Sequence, residues 1–124
     1  MKVIVSHTNI DFDGLASLVA AKRLDPEAIA AIGPTKSSSV TAYLNLYIEC
    51  FPLVPYHDID WEQVSSILFV DCATLERAGL KEFPLNESIK TSSIDIICFH
   101  LSKVVPTSLY YLRNVENKKW TLVQ

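Results

Sequence analysis

Residues 2–17, KVIVSHTNIDFDGLAS, decide how the rest of the chain is read. Val3, Ile4 and Val5 form a continuous apolar run, the pattern of a parallel strand buried on both faces. From Phe12 to Leu24 the pattern is helical, with Leu15, Leu18, Val19 and Lys22 at helical spacing and Ala16, Ala20 and Ala21 adding propensity. Asp25-Pro26 stops it, because the residue before a proline avoids the helical region. The turn between strand and helix is richer than a turn requires. It holds His7, Asn9, Asp11 and Asp13, with Gly14 behind them, whereas capping a helix takes one carboxylate.

The same alternation continues downstream. EAIAAIG (27–33) reads as a second strand, closed by Gly33-Pro34. A second helix follows the polar stretch 36–39 and runs to about Phe51, with Val40, Tyr43, Leu44, Tyr47 and Phe51 as its apolar stripe and Ser38 or Ser39 as N-cap. LVPYH (53–57) is a short strand, and Asp60 in DIDWEQV caps a single helical turn. SILFVD (66–71) and SIDIICFHL (93–101) are strong strand signals. Strands alternating with helices predict an α/β fold, a mainly parallel sheet of four or five strands with helices on both faces. Right-handed crossovers then bring the carboxyl ends of the strands to one edge.

A chain of 124 residues is most simply one domain, and 49% hydrophobic with 20% charged residues is a globular composition. The net charge of −3 does not point to nucleic acid or an anionic membrane. Residues 103–124 are locally basic, with Lys103, Arg113, Lys118 and Lys119 against Glu116, which reads as a solvated end of the chain. Cys50, Cys72 and Cys98 form no CxxC pair, so neither a disulfide framework nor a structural zinc site is supported. The apolar part of MKVIVSH is too short for a signal peptide and no stretch would span a bilayer, so the expected setting is the cytoplasm.

On this layout His7, Asp11 and Asp13 follow the first strand, Asp71 ends SILFVD, and His100 ends the last strong strand. Ligands of open α/β sheets sit at that carboxyl edge, where the strand order reverses. Acidic groups converging there repel unless a cation lies between them, so a divalent metal is the economical explanation. Imidazole with carboxylates suits Mn²⁺, Co²⁺, Mg²⁺ or Zn²⁺. Two ions about 3.5–4 Å apart are the usual clamp for phosphoryl hydrolysis. Taken singly, each residue has a plainer role: Asp11 or Asp13 as a helix cap, His7 as a hydrogen-bonded strand end, Asp71 as a loop carboxylate. Cys72 and Cys98 flank apolar strands and read as small buried hydrophobes, His57 as a solvated loop residue, and Arg77 as a surface cation.

HTNIDFDGLAS together with FVDCAT resembles the DHH family of phosphoesterases, whose first motif is His-x-x-x-Asp-x-Asp after a strand. The wording DFDGLASLVAAKRLDPEA is most similar to the branch in which this domain precedes CBS domains and a tRNA nucleotidyltransferase or poly(A) polymerase region. The resemblance covers roughly residues 1–103. It implies that His7, Asp11 and Asp71 hold a first metal, Mn²⁺ before Mg²⁺ or Co²⁺, and that Asp13 and a bridging Asp71 hold a second. The third motif departs from the pattern. In IICFHLSK, Cys98 stands for the Asp and Phe99 for the first His, and only His100 matches. Phenylalanine cannot ligate a metal, so the implied second site is incomplete and hydrolysis impaired.

The family's second, substrate-binding domain has no counterpart, and VVPTSLYYLRNVENKKWTLVQ does not read like the family continuation; the expectation is a fragment or a degenerate copy spanning 1–124 as one domain. Two function classes follow. One is a metal-dependent phosphoesterase-type domain acting on a phosphodiester or phosphoanhydride, with His100 contacting phosphate or supporting a metal ligand from behind. The other is a non-catalytic module that binds a metal or nucleotide and meets RNA through a larger assembly. A homodimer covering an open sheet edge through SLYYL (108–112) is the third expectation.

Overall fold

The computed structural model describes residues 1–100, 108–114 and 120–123, with side chains described for residues 1–94. Within them, five parallel strands are β1 (Lys2–Val5), β2 (Ile29–Ile32), β3 (Leu53–Pro55), β4 (Ser66–Val70) and β5 (Lys90–His100). Two antiparallel strands, β6 (Ser108–Asn114) and β7 (Trp120–Val123), complete a sheet ordered β3-β2-β1-β4-β5-β6-β7. The α/β class and the parallel core therefore stand. The chain steps outward from β1 to β3, then returns past β1 to β4 and β5. That reversal places a switch point between β1 and β4.

Handedness explains the two layers. Crossovers running in opposite directions along a sheet must lie on opposite faces if all are right-handed. The outward crossovers are the helices α1 (Phe12–Leu24) and α2 (Ser38–Tyr47). Leu15, Leu18 and Ala21 of α1 and Val40 and Leu44 of α2 pack with Ile4, Ile32 and Val70. The returning crossovers contain no α-helix. Single 3-10 turns at Tyr56–Asp58 and Trp61–Gln63 and the stretch 72–89 cover the other face, over Val3, Val5, Ile67 and Phe69. Aromatic packing takes the place of helix packing there. Tyr56, Trp61 and Phe83 meet with ring centroids 5.3–5.8 Å apart, the Tyr56 hydroxyl donates to Ala78 O (3.0 Å), and Trp61 Nε1 donates to Tyr56 O (2.9 Å).

Strand burial follows the sequence. In β1, Val3 and Val5 enter one core and Ile4 the other, and all three are fully buried, as a strand covered on both faces requires. Helix α1 has the expected bounds. Asp11 is its N-cap, accepting from Gly14 N at 2.9 Å, and Asp25 is its C-cap. Asp60 caps its 3-10 turn as expected. The cap of α2 is Ser37, whose Oγ accepts from Val40 N (3.2 Å), one position before the expected serines. SLYYL lies in β6, hydrogen-bonded between β5 and β7 of the same chain. No helix among the described residues is long and apolar enough to cross a membrane.

Candidate metal centre at the strand carboxyl edge

Register brings the first residues of the site together. Val5 of β1 is level with Phe69 of β4, so His7 and Asp71, each two residues further on, leave the sheet side by side at the switch point. Asp11 returns to the same place as the cap of α1. His7 Nε2 lies 3.3 Å from Asp71 Oδ2 and 3.5 Å from Asp11 Oδ1. All three residues offer a ligand atom within 4.8 Å of the others.

The donor set fits a divalent cation. Nitrogen and oxygen ligands about 2.1 Å from one ion are about 3.0 Å apart in an octahedron and about 3.4 Å apart in a tetrahedron. The observed separations, 3.3 and 3.5 Å, bracket the tetrahedral value. His7 Nδ1 is 2.8 Å from Thr8 O, an acceptor, a contact that fits a proton on Nδ1 and turns Nε2 toward the carboxylates. Asp11 Oδ1 also accepts from Gly14 N, and a carboxylate oxygen has lone pairs enough for that bond and a cation together. Burial raises the Asp71 carboxyl above the usual carboxylate range; His7 opposes this, while Asp11 and Asp13 add to it. One imidazole facing two carboxylates, with the charge of Asp13 also acting on Asp71, is an excess of negative charge that a cation would relieve.

The loop carrying His7 is held from both sides. Thr8 N donates to Arg77 O (2.8 Å), Asn9 N donates to Thr35 Oγ1 (3.1 Å), and Ser37 N donates to Ile10 O (3.0 Å). Asn9 and Asp71 occupy the left-handed region, with φ of 52° and 56°, where short polar side chains are the best tolerated after glycine. Two close approaches complete the frame. A Cβ on Gly14 would fall 2.8 Å from both Ile10 Cγ1 and Ser6 Oγ and 3.3 Å from His7 Nε2. Gly79, at φ 73°, lets its backbone come within a methyl's width of Thr8.

The structure thus brings His7, Asp11 and Asp71 together. Asp13 sits exposed in the first turn of α1, outside that trio, but near enough for its charge to act on Asp71. His100 closes β5, and its side chain lies outside the described residues, as do those of Cys98 and Phe99. In register Val70 pairs with Ile94, so the backbone of His100 stands six residues, about 20 Å of strand, beyond the end of β4. The expected role of His100 at the site lies outside the described side chains. His57 lies elsewhere, exposed beside Asp58. Cys72 packs against the aromatic core, and burial pushes its thiol up to about 11, which suits a packing residue. Ser6 and Gly79 were invisible as site residues in the sequence. Ser6 Oγ is buried directly beneath Gly14, with no hydrogen-bond partner among the described residues.

Over 80 residues the chain is 31% identical to an A-adding tRNA nucleotidyltransferase of Geobacter sulfurreducens. The matched stretch is 64% of this chain and 9% of that protein, so the chain spans a small part of its relative. No family model and no solved structure matches the chain.

Proposed function

We propose that this chain carries a metal-dependent phosphoesterase-type site, kept chiefly for binding. The observation behind the reading is the convergence of His7 Nε2, Asp11 and Asp71 at the switch point of a parallel sheet. His7, oriented through Thr8 O, supplies the nitrogen ligand, and Asp11 and Asp71 supply oxygens; Asp13, with Asp71 shared, is available to a weaker second ion. Mn²⁺ is the expected metal, with Mg²⁺ or Co²⁺ as substitutes. A bound ion supplies Lewis acidity toward a phosphoryl oxygen and lowers the pKa of its water. The protein's part is to hold the ligands on a braced loop and to present phosphate to the edge of the sheet.

The ligand class is a phosphate ester, a phosphodiester or phosphoanhydride, or a nucleotide. A non-catalytic module is the second reading, favoured by Phe99 standing where the resemblance calls for a second-metal histidine. The similarity to a tRNA nucleotidyltransferase supports an association with tRNA or RNA processing, with RNA met through a larger assembly.

Calorimetric titration of the metal-stripped protein with Mn²⁺, beside an assay on bis-p-nitrophenyl phosphate, tests this. One tight site with little or no turnover is expected, lost at least about a hundredfold in Asp71→Asn. Two tight sites with steady hydrolysis would make the chain an enzyme outright. Absence of binding would return His7, Asp11 and Asp71 to capping and loop roles.

A further inference from the structure

Among the described residues, seven large apolar side chains are exposed; three of them, Phe12, Tyr43 and Tyr47, are joined by ring contacts, and Leu46 and Ile48 lie beside them in sequence. Helix α2 buries Val40 and Leu44 beneath them and turns Tyr43, Leu46 and Tyr47 outward, at spacing i, i+3, i+4. Leu46 is 77% exposed. Tyr43 ties the surface together, with ring centroids 4.9 Å from Tyr47, 5.5 Å from Phe12 and 5.9 Å from Phe51. From Ser37 to Ile48 there is no charged residue, in a chain that is 20% charged. By contrast, α1 carries Asp13, Lys22 and Arg23.

We infer that this face of α2 is the contact between two copies of the chain, packed antiparallel about a two-fold axis near Tyr43. Aromatic enrichment with charge depletion is the composition of an interface centre. Self-association explains the depletion. Near a two-fold axis each residue meets its own copy, so any charge there meets its like, in a chain already at −3. The ends of the neutral stretch are also self-complementary. Lys36 precedes it and Glu49 follows it, and in an antiparallel pair the Lys36 end of one helix faces the Glu49 end of the other. The midpoint between those two positions falls beside Tyr43, within the aromatic cluster. Tyr43 then sits at the centre with Leu46 beside it, and the tyrosine hydroxyls reach the wet rim.

Sedimentation velocity on the intact chain in EDTA, from about 1 to 200 µM, tests the contact over the affinity range of moderate dimers. A monomer–dimer equilibrium is expected for the natural chain. Leu46→Asp should be monomeric throughout with an unchanged far-UV circular dichroism spectrum, since the side chain is mostly solvated. Leu24→Asp, equally an exposed leucine but at the end of α1, should dimerise normally. A natural chain that stays monomeric, or a dimer that survives Leu46→Asp, overturns the inference, the latter by moving the contact to another surface such as the β7 edge. The charge pattern gives a second check. Lys36→Glu and Glu49→Lys should each weaken the dimer about fivefold or more, and the double exchange should restore it. A double exchange weaker than either single one overturns the antiparallel arrangement.

Discussion

At the amino ends of the strands, charges and hydroxyls meet partners. The Met1 ammonium donates to Gln63 O (3.1 Å) and Ser65 Oγ (3.3 Å), Ser65 Oγ donates to Met1 O (3.1 Å), and Lys2 pairs with Asp25 at 2.6 Å. At the carboxyl ends the same kinds of group are set against one another. Asp11 and Asp71 share one imidazole, Asp71 and Asn9 sit in the left-handed region, and the buried Ser6 hydroxyl has no partner among the described residues. One edge is arranged for stability, whereas the other holds like charges and unpaired groups together. The contrast can be broken at individual residues.

The largest effect should come from Gly14, where the helix presses on the loop. Gly14→Ala places a Cβ 2.8 Å from Ile10 Cγ1 and Ser6 Oγ, so the loop or helix must shift, at about 1–3 kcal/mol in urea denaturation. The shift also displaces His7, and Mn²⁺ affinity should fall with stability. A Gly14→Ala protein of unchanged stability would mean that the braced loop yields freely and that the frame around His7 is not rigid.

The two serines come next, with opposite signs. Ser6→Ala removes a buried hydroxyl that bonds to nothing and should stabilise the metal-free protein by up to about 1 kcal/mol. Ser65→Ala removes two hydrogen bonds to the chain's first residue and should cost about as much. Equal losses from both would show that Ser6 has a partner in solution, which would remove one of the carboxyl edge's unsatisfied groups.

Those residues mark where the sequence was readable and where it was not. Val3-Ile4-Val5 and the Leu15–Leu18–Lys22 spacing encode β1 and α1 locally, and the strand-end rule then carries His7, Asp11 and Asp71 to one edge. Ser6 and Gly79 escaped because their roles arise from contacts across the fold: Gly14 closing over Ser6, and Thr8 resting on Gly79 some seventy residues later. The N-cap of α2 was missed by one position, because three consecutive serines offer the same side chain and only the backbone selects Ser37. His100 lay in a well-read strand, but the pairing of Val70 with Ile94 sets its position, and an apolar run does not encode register.

The smallest effect, and the most discriminating between the two edges, is the pH response of two aspartates. Burial raises Asp71 above the ordinary aspartate value of 3.8, whereas the hydrogen bond from Lys2 lowers Asp25 below it. The linkage signs are opposite. With its affinity raised, native Asp71 binds more proton than the unfolded chain in the window just above 3.8; its contribution is present at lower pH and is lost as pH rises through that window. Asp25 contributes above 3.8 and loses that contribution as pH falls through its lowered value. Thermal melts in EDTA should therefore show Asp71→Asn with a slightly raised neutral plateau and no stabilisation on mild acidification. Asparagine also tolerates the left-handed backbone at that position, so no strain masks the gain. Asp25→Asn should show a slightly lowered plateau and a flatter acid limb. Added Mn²⁺ separates them again, raising the melting temperature of Asp25→Asn as it does that of the natural chain and leaving Asp71→Asn unmoved. A metal-free Asp71→Asn less stable than the natural chain at neutral pH would show that the Asp71 carboxylate already helps hold the fold through His7, and the carboxyl edge would then be as well satisfied as the amino edge.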